Sequence, residues 1–325
     1  GADLDHLGKR SRDRIKSDKG MIFGTFTFEK HLLTIYGCFA GIFQSENEAE
    51  MILNPKDQMD VLVMVLFLQA LARFSRIPWS SYKEVFRNDA SNIAIFRELR
   101  LLGNIFHCMT VLIIGHEGAY KDNDPKEPHL SLSELLTFAS MLSHLLFVCH
   151  RRRRTNFLPN QNYRNWQDQI KSMFVSVTMH KHHGVTNYHW FLDSSKRLEQ
   201  YFGILRSMRG GDLNFNVQGL KERMIDATGI ARIYASHPEW DTLSRKLHCS
   251  YDRKNVRSWK GCTDTRNVDE AICWKNGRMK ALQALRASQI FSAEELDFDS
   301  MGQNIDMMRP LGDTIGVHAG DVHNQ

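Results

Sequence analysis

The chain has 325 residues, 42% of them apolar and 24% charged, which is the balance of a folded globular protein and not of a disordered or fibrous one. Its net charge of +5 permits a nucleic-acid partner without arguing for one, so local clusters must carry that case. Six cysteines with no C-x-x-C pair suit a reducing interior better than a disulfide framework, and no unbroken apolar run reaches the ~20 residues of a membrane span.

In chain order, Asp3 to Lys16 is polar and strongly basic. A short β-prone run rich in Phe and Thr follows at Met21 to Phe28. Helical spacing of apolar residues then predicts helices over Lys30–Phe43 and Asp57–Phe74, the second entered through Asn54-Pro55. One or two more helices are predicted over Ser81–Ile114, before a turn-rich linker from Gly115 to Pro128. Ser131 and Glu134 have the spacing of a capping box and should open an apolar helix that runs to His150. Further helices are predicted over Gln161–Thr178, Val217–Thr228 and Val268–Ser288, with a short aromatic strand at Tyr188–Leu192. The tail from Ser300 is rich in Gly, Asp and Met and reads as loose.

Two stretches carry chemistry. In Asp193–Val217, DSSKRLEQYFGILRSMRGGDLNFNV, Glu199 lies in an amphipathic helical run among Lys196, Arg197, Arg206 and Arg209, and Gly210-Gly211 stops the helix. At the start, Asp3 is followed by His6, Lys9 and Arg12 at three-residue intervals, with Asp5 as a rival to Asp3. These patterns resemble two motifs of P-element-type transposases, the family with THAP-type DNA-binding domains and its diverged fungal copies. One is the D-x-x-H-x-x-K-x-x-R motif, which carries the second catalytic acid. The other is the segment that carries the last. The entry Leu53-Asn-Pro-Lys-Asp57, the turn Phe157-Leu-Pro-Asn160 and the strings His237-Pro-Glu-Trp240 and Ser258-Trp-Lys-Gly261 extend the resemblance over most of the chain.

The resemblance implies a mainly α fold: a helical insertion domain joined to the C-terminal remnant of an RNase H-like α/β catalytic domain. It divides the chain into the end of that catalytic core (1–29), the helical insertion (30–190), the helix with the last acid (191–235) and a helical to irregular C-terminal region (236–325). It implies a nuclear DNA transposase that cleaves and joins strands with two Mg²⁺ or Mn²⁺ ions. Asp3 (or Asp5) and Glu199 would act as metal-binding catalytic acids, because hard cations that keep several waters favour carboxylate oxygens. His6, Lys9, Arg12, Lys196, Arg206 and Arg209 would meet the backbone of double-stranded DNA. The first catalytic aspartate should precede residue 1, so the chain is expected to be an incomplete and, alone, inactive fragment. The alternative is a transposon-derived protein that binds DNA or a partner without catalysis. A homo-oligomer is compatible with either.

Arg151, Arg152, Arg153 and Arg154 form a cationic run at a helix end, suited both to the helix dipole and to phosphates. His180, His182, His183 and His189 lack the acidic or cysteine partners of a zinc site, so no zinc is expected. The resemblance allows GTP binding by the insertion domain, but no G-x-x-x-x-G-K-[ST] loop supports it.

Overall fold

Leu4, Leu7, Ser11 and Ile15 recur at helical intervals, and their burial makes the first described segment a core helix, α1 (Leu4–Lys16), despite its basic composition. The structure is a computed structural model that describes residues 4–54, 61–78, 89–114, 130–190, 205, 216–237, 262–297 and 308–310. After α1 comes the expected β-prone run, an antiparallel hairpin of β1 (Met21–Ile22) and β2 (Thr27–Phe28) with Met21 opposite Phe28. The rest is helical: α2 (Lys30–Phe39), α3 (Glu46–Leu53), α4 (Val61–Arg73), α5 (Ala90–Ile114), α6 (Leu132–Arg153), α7 (Asn160–His182), α8 (Val217–Ser236) and α9 (Glu270–Ser288).

Most predicted helices are present with shifted ends. Helix α3 was not foreseen, although Ser45 and Glu48 mark its start: the Ser45 hydroxyl accepts from Glu48 N at 3.2 Å. The aromatic run at Tyr188 is no strand within the described residues; Asn187 forms an isolated bridge with Asp264, and Tyr188 N donates to Thr263 O. The Gly115–Pro128 linker, Pro55–Asp60 and most of the C-terminal tail lie outside the described residues.

Helix α5 lies at the centre, against α4, α6 and α9, and α1 packs on α4, α5 and α7. One apolar cluster runs from Leu4 and Phe28 through Leu102, Leu142 and Trp166 to Trp274 and Leu285. The segment expected to end a catalytic core and the one expected to form a helical insertion therefore share a single core. The tightest seam joins α6 to α9. A Cβ on Gly277 would stand 2.4 Å from Ser140 Cβ and 2.5 Å from Thr137 O, so only glycine admits this approach. Ser140 Oγ donates to Trp274 O at 2.7 Å across the seam. Between α6 and α7, Ser143 Oγ donates to Gln167 Oε1 and Gln167 Nε2 returns a bond to Ser143 O, at 2.6 and 2.9 Å.

The 25 residues from Leu132 to Asn156 contain a window long and apolar enough to cross a membrane, although the sequence showed no unbroken apolar run of that length. In the fold, 78% of that window is buried among other helices, the position of a core helix.

Candidate nucleic-acid interface

Asp3, Lys196, Glu199, Arg206 and Arg209 lie outside the described residues, so the structure neither joins nor separates the two expected catalytic acids. Asp5 falls on α1, the helix of the first motif. The remaining predicted contacts can be placed, and they divide sharply.

On α1, the strip expected to face DNA turns inward. His6 is half-buried, Lys9 is buried and Arg12 has 0% exposure, with Nη2 3.5 Å from Asp13 Oδ1. The helical geometry explains this. Each three-residue step falls short of a full turn by ~60°, so the series rotates from the helix flank into the packed side. Lys9 and Arg12 thus stand within the packing of α1 and not on its open face. The open face instead presents Arg10 and Asp13. Next to Lys9 and Arg12, Ser11 Oγ accepts from Trp166 Nε1 at 3.2 Å and from Asn162 Nδ2 at 3.4 Å, which fixes α1 along α7.

The four-arginine run also splits. Arg152 Nη1 bonds both oxygens of Glu295 at 2.9 and 2.7 Å and Ile290 O at 3.1 Å, and its guanidinium lies 5.4 Å from the Phe291 ring centre. Arg153 donates through Nε (3.1 Å) and Nη2 to Gly24 O in the hairpin turn. These two cations fasten the fold. Arg151 and Arg154 remain exposed at the end of α6.

Arg154 has φ 50° and ψ −128°, a backbone region that favours glycine and strains an arginine. It begins a 3₁₀ turn, Arg154–Asn156, and its carbonyl accepts from Phe157 N and Leu158 N. Arg14 grips the same turn, with Nη2 2.8 Å from Asn156 O and Nε 3.4 Å from Phe157 O. One turn earlier on α1, Arg10 Nη1 reaches the Asn165 side-chain oxygen at 3.0 Å in the amide orientation that satisfies both groups. Helix α7 starts here behind Pro159, with no side-chain cap on its N-terminus, and Arg164 is exposed in its second turn. An uncapped N-terminus adds partial positive charge to the corner.

Behind these residues His150 stacks on Tyr163, with ring centres 4.0 Å apart, and its Nε2 meets Asn160 Oδ1 at 3.1 Å. Burial, aided by the nearby Arg154 charge, holds His150 below the usual imidazole range against the pull of that Asn160 bond. The α6–α7 corner thus gathers Arg10, Arg14, Arg151, Arg154 and Arg164 at one end of two helices. Sequence reasoning missed Arg10, Arg14 and Arg164. The i, i+4 spacing of Arg10 and Arg14 was a usable signal for the first two.

His180 Nδ1 lies 2.7 Å from Ser176 O and its ring packs against Tyr188, while His182 and His183 pack on each other. Among the described residues, no three His, Cys, Asp or Glu side chains are grouped to hold a metal ion. No family model, curated protein or solved structure matches the chain.

Proposed function

We propose that the chain is the C-terminal portion of a P-element-like DNA transposase, acting in the nucleus on double-stranded DNA. The observation that carries this is the Asp193–Val217 pattern around Glu199, taken with the Asp3-x-x-His6-x-x-Lys9-x-x-Arg12 motif. In this reading Asp3, with Asp5 as its rival, and Glu199 belong to a carboxylate set for two Mg²⁺ or Mn²⁺ ions. Those ions would activate water and stabilise the leaving oxygen in strand cleavage. The RNase H-like remnant and the helical insertion belong to the same proposal.

The α6–α7 corner supports a DNA partner on a separate ground. Exposed Arg151, Arg154, Arg10 and Arg164 beside a helix N-terminus form a surface suited to phosphates, contributing position and affinity without sequence choice. Lys9 and Arg12 take a different part in it: buried on the helix of the first motif, they would hold α1 in place while other cations meet the duplex.

The test compares Mg²⁺-dependent nicking of duplex DNA by this chain and by one extended upstream, each with and without Glu199→Gln. Nicking by the extended chain alone, abolished by Glu199→Gln, is the expected result. Nicking that survives Glu199→Gln would refute the role of that acid. Salt-dependent duplex binding without nicking in any form would favour the non-catalytic derivative.

A further inference from the structure

Glu98 is 2% exposed in the first half of α5, and the functional reading above gives it no part. Its carboxylate is wrapped by the hairpin turn: Oε1 accepts from Thr25 N at 2.7 Å and Oε2 from Phe26 N at 3.3 Å. The wrapping is so close that a Cβ on Gly24 would stand 2.3 Å from the carboxylate. The other side of that turn is bound by a cation, since Gly24 O accepts from Arg153 at the last turn of α6. Cys149, one turn before Arg153, is fully buried, and burial followed by the Glu98 charge pushes its thiol well up. The hairpin touches the corner a second time where Phe23, stacked on Phe28, meets Phe157 edge-on at 6.0 Å.

We propose that Glu98 is a positioning residue for the basic corner: it fixes the hairpin turn, which holds Arg153 and Phe157 and so sets the geometry of the Arg154 turn. The proposal rests on the corner being the DNA-contacting surface. A carboxylate buried only for stability would need acceptor bonds alone. Here the same three-residue turn is pinned on its N–H groups by α5 and on its carbonyl by α6, so that α5 and the end of α6 are registered through it. Arg154 stands one residue beyond Arg153 in a backbone conformation that persists only where its surroundings dictate it.

The experiment uses the full chain with Glu98→Ala, Glu98→Gln and Gly24→Ala. Phe67→Leu, a core change at the Phe106 contact between α4 and α5, is the control for lost stability. Amide hydrogen exchange is read at Phe157 and Leu158, whose N–H groups both bond Arg154 O. Affinity for a short duplex is measured in parallel. Glu98→Ala and Gly24→Ala should speed exchange at these two amides by ~10-fold beyond the control, equal to about 1.4 kcal/mol of local opening, and weaken duplex binding more than the control does. Glu98→Gln retains one acceptor for the turn and should restore part of the protection. Exchange at Phe157 and Leu158 that merely follows global stability would overturn the proposal, as would faster exchange with duplex affinity equal to the control's. If the unaltered chain binds no duplex while the exchange result holds, the positioning role stands and the DNA reading of the corner falls.

Discussion

The two ends of helix α6 are built on opposite principles. At its start the Ser131 hydroxyl accepts from Glu134 N at 3.3 Å, and the Glu134 carboxylate accepts from Ser131 N at 2.7 Å, so each residue satisfies a backbone donor of the other. This capping box lies within four residues, Leu132 N adds one distant bond to Cys262 O at 2.8 Å, and the next two turns close tightly on Gly277 of α9. At its end His150, Arg151, Arg152 and Arg153 crowd the last turn, and Arg154 takes a strained conformation. Arg152 and Arg153 are held there by Gly24, Glu295 and Ile290, all more than a hundred residues away. One end is finished by a local capping box, one backbone bond to Cys262 and close packing. The other is held by distant contacts that leave two cations facing outward, which is the arrangement expected of a binding surface and not of a helix stop.

The comparison is broken most directly at the closed end. Gly277→Val should destabilise the fold by about 3 kcal/mol, because the added atoms meet Ser140 Cβ, which moves only with its backbone, and the Thr137 carbonyl. Denaturant unfolding measures it. A loss near zero would mean that the α6–α9 seam can spread.

Helix α5 runs back along α6 and places one titratable group near each end, with opposite sign. His107 packs edge-on to Phe138 in the first half of α6, and burial, with a smaller contribution from Arg76, lowers its pKa from 6.5 to about 4. Its stability contribution is present above pH 6.5 and is lost as pH falls towards 4. The size is about 2 kcal/mol after a discount for partial exposure. Glu98, by the other end, is raised by burial against the opposing pull of the Thr25 and Phe26 bonds. That contribution is fully present below the ordinary glutamate value and is lost as pH rises through the raised one. His107→Gln should flatten the acid limb of a stability–pH curve, and Glu98→Gln should remove the opposing slope. Profiles unchanged by either substitution would show that these groups titrate as they do in the unfolded chain.

The same division explains what could be read from the sequence. The capping box, the β-prone character of Met21–Phe28 and the existence of most helices follow from spacings within a few residues, and the structure has them. The fate of α1 does not. Its composition reads as a basic arm, yet its burial depends on Trp166 and Asn162 reaching Ser11 across about 150 positions. Nor does a run of four arginines reveal which two will be spent on Glu295 and Gly24 and which two will stay open. Helix α3 is a different case, since Ser45 and Glu48 were legible and overlooked. The expected acids Asp3 and Glu199 fall outside the described residues, so their relation still rests on the motifs alone.

A smaller effect tests the locally built end. Ser131→Ala removes the acceptor for Glu134 N and should cost about 1 kcal/mol, with no change in duplex affinity. Reduced binding in that variant, read by titration at fixed salt, would mean that the two ends of α6 are coupled and the contrast between them too sharp.

The last prediction concerns Arg154, where stability and binding should part. Replacing it with glycine relieves the strain of φ 50° and ψ −128° but loosens the unfolded chain, for a net gain of about 1 kcal/mol. Removing one exposed cation should at the same time weaken duplex binding and lower the slope of log affinity against log salt by about 1. Arg154→Lys should keep the slope and the strain together, since it preserves the charge and the Cβ. A glycine variant that is both more stable and equally tight in binding would place Arg154 outside the interface. Its conformation would then be an accident of the α6–α7 turn. If stability rises as binding falls, an arginine is kept in a glycine's conformation because its charge is needed there, and the strain is the cost of placing a cation where the corner meets phosphate.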